Sequence, residues 1–275
     1  MNNNFGGDWT SQKIEIVTSY TQAYLTVMKN QPFNLIYFDG FAGSGDIEQD
    51  ENIIQGAALR VLAIDDPKPF DLYYFVELVK KYADNLKAQI KLKFPERKFV
   101  VRSEDCNVKI KDMAAYLRKP EQNMTKVLAF IDPKGMQVKW ESLEILRGLG
   151  VDMWILVPLG MGVTRLLKKD GNISDAWVSK LQVFLGMQES EIRNYFYADE
   201  LINLFGEAVA GQRLDNAIVR AAKLYQERLN TIFKFVSQPF VMRNSKNSPM
   251  YHFYLATNNT TALKIANSVI KPKYQ

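Results

Sequence analysis

The residues best suited to ligand chemistry form a glycine-rich turn after the first apolar run of the chain. The β-prone run 34–38 ends at an aspartate, and the turn consists of Asp39, Gly40, Phe41, Ala42, Gly43, Ser44 and Gly45. Glycines at such a turn adopt positive φ and let the backbone approach a ligand closely. The order G-x-x-G-x-G reverses the dinucleotide fingerprint, and no Gly-Lys-Ser/Thr follows as in a P-loop. A purely structural turn is the alternative.

Acidic residues follow three further predicted strands. Glu77 directly follows the run 72–76, Asp105 comes shortly after the run 99–102, and Asp132 follows the run 127–131. Because the carboxyl ends of parallel strands form the ligand crevice of open α/β sheets, we expect all of these residues on one rim. There Glu77 is placed to accept hydrogen bonds from ribose hydroxyls, and Asp105 to receive the amine of an adenine. The alternatives are a surface carboxylate for Glu77 and a helix N-cap for Asp105.

The alternation of apolar runs with helix-length segments predicts the scaffold that positions these residues. Strands are predicted at residues 34–38, 72–76, 99–102, 127–131 and 153–157. Helices are predicted at residues 14–28, 56–64, 79–94, 108–117 and 141–149. Short apolar strands separated by helices indicate a mostly parallel, Rossmann-like sheet covered on both faces, which is a doubly wound α/β fold.

The pattern changes after Pro158. Residues 164–230 are predicted to be helical, with no strand between the helices. The β-rich runs 232–242 and 251–256 flank a turn and predict a β-hairpin, and a last helix is expected at 261–270. The predicted architecture is therefore one domain over residues 1–275. Its sheet has seven strands and ends in the hairpin, with a helical insertion at 164–230 after the fifth strand.

The composition is that of an ordinary globular protein and argues against several kinds of site. The chain has 275 residues, of which 47% are hydrophobic and 24% charged, with one cysteine and one histidine. An internal disulfide or a metal site is therefore not expected. No signal peptide is recognised and no apolar run reaches membrane-spanning length, so we expect a cytoplasmic protein that makes no membrane contact.

Positive charge is distributed unevenly, although the formal net charge is only +5. Residues 79–126 hold 13 Lys and Arg against 6 Asp and Glu, and residues 228–275 hold 7 basic residues and no acidic one. Such stretches suit the phosphate backbone of DNA or RNA, and Arg243 and Lys246 in the hairpin turn are the candidate contacts. The alternatives are helix faces in water and a tail that balances the acidic stretch 171–215.

The loop sequence resembles a known motif. Residues 37–45, Tyr-Phe-Asp-Gly-Phe-Ala-Gly-Ser-Gly, resemble the D-x-F-A-G-S-G motif of class I S-adenosylmethionine-dependent methyltransferases. More specifically, the chain resembles the three-Cys-motif partner proteins. These share an opening Trp-Thr and Lys before an aromatic-containing helix, the same glycine loop, and an Asp-Pro-x-Gly followed by Trp. The corresponding residues here are Trp9, Thr10, Lys13, Tyr20, Tyr24, the loop 37–45, Asp132, Pro133, Gly135 and Trp140.

The resemblance implies a binding site for S-adenosylmethionine and a separate partner protein that carries a three-cysteine motif. The loop residues 39–45 would hold the methionine part and ribose, and Glu77 would bind the ribose hydroxyls. Asp105 and Cys106 would lie by the adenine. Asp132, with Pro133 beside it, would face the methyl group or the acceptor. Lys13 and Trp9 would contact the cofactor carboxylate or, alternatively, form a structural clamp.

The sequence departs from the amino-methylating enzymes of DNA and RNA at two positions. Those enzymes use [DNS]-P-P-[YFW], in which the aromatic residue stacks on the target base. Lys134 and Gly135 stand at the third and fourth positions here, so the ring is missing from its usual place and amino methylation is disfavoured. C5-pyrimidine methylation is disfavoured because Cys106 lies one strand too early. His252 is interpreted as a strand residue of the hairpin rather than a general base.

Three functional hypotheses follow. The first is an S-adenosylmethionine-dependent methyltransferase acting on nucleic acid, in which Asp132 orients or partly deprotonates the acceptor. The second is a non-catalytic subunit of the same fold that binds the cofactor or nucleic acid without methylating, which Lys134 and Gly135 favour. The third is a nicotinamide oxidoreductase, which the order of the glycines and the lack of an evident proton donor disfavour.

Overall fold

The computed structural model describes residues 7–49, 52–198, 201–202, 208–209 and 213–270. The main sheet of this part has the strands β1 Asn34–Asp39, β2 Leu72–Val76, β3 Phe99–Arg102, β4 Thr125–Ile131, β5 Val151–Val157, β6 Phe235–Val236, β7 Phe240–Arg243 and β8 Pro249–Thr257. The larger helices are α1 Gly7–Met28, α2 Ala57–Leu62, α3 Lys80–Lys93, α4 Cys106–Leu117, α5 Trp140–Glu144, α6 Asp175–Leu185, α7 Glu189–Phe196, α8 Ala217–Ile232 and α9 Thr260–Ile270. Short helical turns lie at Pro120–Gln122, Leu159–Val163 (a π-helix) and Thr164–Leu166.

The strands follow the order β3-β2-β1-β4-β5-β8, and β6 and β7 both pair with the outer side of β8. Strands β1 to β5 are parallel, whereas β8 is antiparallel to β5. In this register Asp39 at the end of β1 pairs with Phe75 of β2 and Phe130 of β4. The residues that follow β2 and β4 therefore emerge at the same edge as Asp39.

Alternate residues of the strands supply two hydrophobic cores, one on each face of the sheet. Leu35 and Tyr37 pack in the core that also contains residues of α1, α2, α3 and α9. Ile36 and Phe38 pack in the other core, with α4, α5 and helices that follow β5. Both faces are thus covered, and the predicted doubly wound, mostly parallel α/β fold is confirmed.

The hairpin at the sheet edge differs in detail from the prediction, in which the sixth strand spans residues 232–242. Ile232 still belongs to α8, and the predicted run is split into β6 and β7, so the described sheet has eight strands rather than seven. At the interruption, the Ser237 backbone N–H donates to Leu255 and its hydroxyl accepts from the Leu255 N–H, at 2.8 and 2.9 Å. Pro239, which lacks an N–H, follows and explains the break in the ladder.

The stretch 164–230 is not free of strands, and that part of the prediction is wrong. It holds the turn Thr164–Leu166, α6, α7 and most of α8, together with an antiparallel pair formed by Leu201–Ile202 and Ala208–Val209. A ladder of two residues is too short to produce a recognisable alternation in the sequence. Within α8, Ala221, Leu224 and Tyr225 are buried in the sheet's own core.

The glycine-rich turn is followed by an element that the sequence did not predict, a small hairpin of Asp46–Gln49 and Asn52–Gln55. It lies between the turn and α2. Within the described residues, no helix combines the length and the apolar character needed to cross a membrane. No group of three metal-ligating side chains is close enough together to hold an ion in that same part of the chain.

Candidate active site

A cleft of about 730 Å³ opens at the carboxyl ends of the parallel strands. The sequence-predicted residues that line it come from the loops after four strands and from α1. They are Lys13, Gly40, Phe41, Gly43, Ser44, Glu77, Asp105, Cys106, Asp132 and Pro133. The structure therefore brings most of the predicted residues into one cavity, as the topology of the sheet requires.

The glycine-rich loop is held by two carboxylates. Asp39 accepts a hydrogen bond from the Phe41 backbone N–H at 3.1 Å. Glu77 accepts from the Gly43 N–H at 3.0 Å through one oxygen and from the Val79 N–H at 2.9 Å through the other. Gly43 has φ +64°, a conformation that L side chains rarely adopt. Glu77 thus fixes the loop as well as lining the cleft.

Gly40 is required for a different reason, which is the space available beside it. A Cβ atom built on Gly40 would lie 2.5 Å from the Cys106 sulfur and 2.9 Å from Ile131. The loop therefore passes directly over Cys106 and the end of β4. Burial raises the pKa of the Cys106 thiol, with smaller contributions from Asp105 and Asp39, so this cysteine is a packed apolar group rather than a nucleophile.

Asp39 lies beneath the cleft and is 1% exposed. Burial raises the pKa of its carboxyl to about 8, against the opposing hydrogen bond from Phe41. The nearby carboxylates of Asp132 and Glu77 raise it further, whereas Lys13 lowers it. The Asp39 side chain is therefore largely protonated near neutral pH in the ligand-free protein, a state that a cation bound nearby would reverse.

Asp132 forms a salt bridge with Lys13 of α1. The Lys13 side chain is 8% exposed and that of Asp132 is 21% exposed, so the pair is mostly removed from water. The bridge ties the start of α1 to the loop after β4, which is the structural clamp considered above. The side chain of Trp9 lies outside the described part of the chain.

Asp105 is the N-cap of α4. One of its oxygens accepts from the backbone N–H groups of Asn107 and Val108 at 2.7 and 3.4 Å. The Asn107 side chain then bonds to Gln137 and Lys139 in the loop after Asp132. The cap and the bridging asparagine hold the two sides of the cleft at a fixed separation. The N-cap alternative for Asp105 is observed, and the residue also lines the cavity.

Five of the predicted residues do not line the cleft. Asp39, Ala42 and Gly45 lie within or beneath the loop, and Arg243 and Lys246 are exposed at the hairpin turn. Arg243 donates to the Asn247 carbonyl at 3.0 Å and so holds the turn itself. His252 lies buried in β8, where burial and then Arg243 lower its pKa to about 4, so it is neutral and unsuited to general-base work near neutral pH.

Several cleft residues were missed by the sequence analysis. Leu78, Val79 and Tyr82 lie on the rim beyond Glu77 and are 63%, 46% and 41% exposed. Leu78 and Val79 directly follow Glu77 and precede α3. Two exposed apolar residues are unusual just before a solvated helix, so this pair was a signal of a ligand-facing rim that the sequence already contained. Tyr251 of the hairpin also lines the cleft. It had no local signal, because its position depends on the pairing of β8 with β5.

The charges of the cleft suit a cationic ligand. Its lining carries five acidic residues, Asp46, Glu77, Glu104, Asp105 and Asp132, against the basic Lys13 and Lys134. In dinucleotide-binding proteins the glycine-rich loop binds a pyrophosphate, which these carboxylates would repel. A positive charge would be stabilised there. The electrostatics therefore disfavour a nicotinamide dinucleotide independently of the glycine spacing.

A second cavity, of about 700 Å³, lies at the opposite end of the strands. Lys126, Arg147, Asp152 and Tyr20 are among its lining residues. Burial raises the pKa of Asp152 to about 6, and the Thr257 hydroxyl donates to this carboxylate. The predicted strand-end residues are absent from its lining, so the size of this cavity does not make it the active site.

Comparison with known proteins places the fold. No protein-family model matches the sequence, and no curated protein matches it. Among solved structures, protein LPL1258 from Legionella pneumophila aligns over 98% of this chain and 94% of that one, with a TM-score of 0.54 at 12% identity. Trm1 from Pyrococcus horikoshii in complex with S-adenosyl-L-methionine aligns over 96% of this chain but 58% of that one, with a TM-score of 0.47 at 11% identity.

An rRNA methylase from Streptococcus thermophilus aligns over 90% of this chain and 95% of that one, with a TM-score of 0.37 at 8% identity. At these identities the likenesses concern the fold alone. The observed strand order, with β8 reversed between β5 and the edge strands, is that of the class I methyltransferase fold.

Proposed function

We propose that this protein is an S-adenosylmethionine-dependent methyltransferase. The observation that carries the proposal is the acidic cleft at the strand ends of a methyltransferase-type sheet, closed on one side by the glycine-rich loop. S-Adenosylmethionine carries a sulfonium and an ammonium group, and its adenosine needs an apolar surface beside hydrogen-bond acceptors. The carboxylates of the cleft and the exposed rim residues Leu78, Val79 and Tyr82 meet both needs.

Each group of residues has a separate binding task in this proposal. Glu77, already fixed by Gly43 and Val79, accepts hydrogen bonds from the ribose hydroxyls through its remaining lone pairs. Asp105 and Leu78 flank the adenine. The glycine-rich loop and the buried Asp39 lie beneath the methionine part, where a positive charge favours the ionised form of Asp39.

The cofactor supplies a methyl group already activated by the sulfonium, so the protein mainly has to align the acceptor. Asp132 lines the cleft and is held in place by Lys13. Its carboxylate orients the acceptor and accepts a proton from it, and Pro133 shapes the adjacent wall. Lys13 acts as a positioning residue, because it fixes the rotamer of Asp132.

Nucleic acid is the proposed acceptor class, and a three-cysteine-motif protein is the proposed partner. Arg243 and Lys246 support the first proposal, since both are exposed on the turn next to the cleft strand β8. The second candidate function is a non-catalytic subunit that binds the cofactor or nucleic acid. Lys134 and Gly135 favour it, because they replace the proline and stacking ring of the amino-methylating enzymes.

Calorimetric titration with S-adenosylmethionine, S-adenosylhomocysteine and NAD tests the proposed cofactor. We expect both sulfur compounds to bind and NAD not to bind, and tight binding of NAD alone would refute the proposal. Transfer of a labelled methyl group to DNA and RNA, with and without the partner, then separates the two candidate functions. If the protein is an enzyme, Asp132→Asn abolishes methyl transfer and leaves cofactor binding measurable. If it is a non-catalytic subunit, neither the unmodified protein nor the variant transfers the methyl group.

A further inference from the structure

A groove of about 440 Å³ adjoins the cleft on the side of the loop after β4. It lies between that loop, the π-helix Leu159–Val163 and α6. Lys134 lines both the groove and the cofactor cleft, so the two cavities meet at this residue, two positions after Asp132. A molecule in the groove would therefore reach the proposed methyl-transfer position from the side opposite the glycine-rich loop.

The charge of the groove is the reverse of that of the cleft. Its lining contains three charged residues, Lys134, Arg165 and Lys180, and all three are basic and exposed. None of them takes part in an ion pair among the described residues. Uncompensated positive charges on a concave surface attract a polyanion.

The groove also contains the ring that is missing from the loop after Asp132. Trp177 of α6 is half-buried and lines the groove, and the Lys168 amine lies 5.4 Å from its ring centroid. An aromatic side chain beside a basic track is the combination with which proteins bind unpaired nucleotides, because every base can stack on a ring. Trp177 of α6 therefore supplies the aromatic ring that is missing at Gly135 in the loop.

Two glycines allow the π-helix, which forms one wall of the groove, to pack closely against its neighbours. A Cβ atom on Gly162 would lie 2.8 Å from the side chain of Met136 in the loop after Asp132. A Cβ atom on Gly160 would overlap the backbone carbonyl of Pro249 at the start of β8. The π-helix is thus packed between the loop after Asp132 and the start of β8. Pro249, which directly follows the basic hairpin turn, therefore lies against the π-helix that forms one wall of the groove.

We infer that this groove holds one unpaired nucleotide of a nucleic-acid strand, with its base on Trp177 and the flanking phosphates on Lys134, Arg165 and Lys180. The inference rests on the proposed function, because only a methyl donor in the adjoining cleft makes this nucleotide the acceptor. It also specifies the form of the substrate. A paired base has no free face for Trp177, so the target is single-stranded or flipped out of a duplex.

Fluorescence anisotropy with a short labelled oligonucleotide of mixed sequence tests the inference, with S-adenosylhomocysteine present. We expect single strands to bind more tightly than the matching duplex. Trp177→Ala should weaken binding about tenfold or more, and Trp177→Phe, which keeps a ring, should recover much of the loss. Arg165→Ala with Lys180→Ala should flatten the salt dependence of log Kd by about 0.7 for each lost phosphate contact.

The matched control is Lys29→Ala with Lys223→Ala, which removes two exposed lysines outside the groove lining and outside the basic stretches 79–126 and 228–275. An equal effect of the control pair, duplex binding as tight as single-strand binding, or unchanged affinity of both Trp177 variants would each overturn the inference. Calorimetry with S-adenosylhomocysteine on the same variants keeps the two proposals apart. Cofactor binding without a groove effect rejects only the groove, whereas absence of cofactor binding rejects the proposed function.

Discussion

Glu77 both fixes the glycine-rich loop and lines the cleft, which makes it the most informative single residue of the cleft. Its carboxylate already accepts two backbone N–H groups, from Gly43 and Val79, at 3.0 and 2.9 Å. We expect Glu77→Ala to weaken binding of S-adenosylhomocysteine by about 1–3 kcal/mol, because a charged acceptor for ribose is lost and the loop is released. Calorimetry on the purified variant measures this. Glu96→Ala, which removes an exposed acid in the loop between α3 and β3 outside the cleft lining, is the control, and equal losses in both would contradict the assignment.

We expect Asp39 to couple binding of the proposed cofactor to protonation. Its pKa of about 8 leaves the carboxyl mostly protonated at pH 7. A bound cation favours ionisation, so binding of S-adenosylmethionine should release close to one proton at that pH. Calorimetry in phosphate and in Tris buffers detects this release as different apparent enthalpies. Asp39→Asn should remove the difference, and identical enthalpies for the unmodified protein would count against the proposed placement.

The same group makes stability depend on pH. The folded-state pKa lies above the ordinary value, so the folded protein binds more protons than the unfolded chain between about pH 4 and pH 8. The contribution of Asp39 to stability is therefore complete at low pH and is lost as the pH rises through 8. Urea unfolding of the protein and of Asp39→Asn at pH 6 and pH 9 should show a smaller decline for the variant. A parallel decline in both would exclude Asp39 as the cause.

At the scale of elements, glycines mark the places where helices and loops are pressed together. Gly186 ends α6 with φ +64°, and a Cβ atom there would overlap the Trp140 ring. Gly148 has φ +76° but open space, and Gly135 has neither constraint. We expect Gly186→Ala to destabilise the fold by more than about 2 kcal/mol, Gly148→Ala by about 1, and Gly135→Ala by almost nothing. Urea unfolding of the three variants measures the order, and a large effect at Gly135 would contradict it.

The π-helix Leu159–Val163 is the element that links the active site to the sheet edge. It follows β5 directly, touches the loop after Asp132 through Gly162 and touches β8 through Gly160. π-Helical turns often occur at functional sites. Met161 and Gly162 of this turn line the basic groove, which agrees with a role in shaping the proposed acceptor side.

At the scale of the whole molecule, charge is separated between neighbouring cavities. The cofactor cleft is lined by five acids and two lysines, while the groove beside it is lined by basic charges alone. Such a division suits a cationic donor that meets a polyanionic acceptor. The hairpin turn with Arg243 and Lys246 extends the basic side away from the groove.

We expect the hairpin turn to contribute measurably to the proposed nucleic-acid binding. Because Arg243 and Lys246 are exposed and lie outside both cavities, replacing them with alanine should weaken binding of any sequence equally. It should also flatten the salt slope, by about 0.7 per lost contact on a single strand and about 0.9 on B-DNA. Titrations at several salt concentrations measure the slope. Salt-independent binding, or no binding at low salt even with the three-cysteine partner, would reject nucleic acid as the acceptor.

The sequence by itself determined the sheet and the rim. Apolar runs such as 34–38 and 127–131 are local signals, and they predicted the parallel strands within one or two residues at most ends. Since parallel strands end on one edge, Asp39, Glu77, Asp105 and Asp132 could be assigned to the same rim before any contact was known. The predicted hairpin was also correct in outline, because its turn residues and the β-prone runs that flank them are adjacent in the chain.

Only the tertiary structure decided which side chains face one another. Lys13 and Asp132 are 119 residues apart, and Trp177 reaches the groove from a helix that shares no sequence pattern with the loop after β4. The split of the predicted strand 232–242 and the two-residue ladder inside 164–230 likewise leave no periodic trace. Periodicity reports which face of an element is buried, whereas these pairings depend on how whole elements pack, which no local spacing encodes. For that reason the rim of the acidic cleft could be predicted, and the basic groove emerged only from the folded chain.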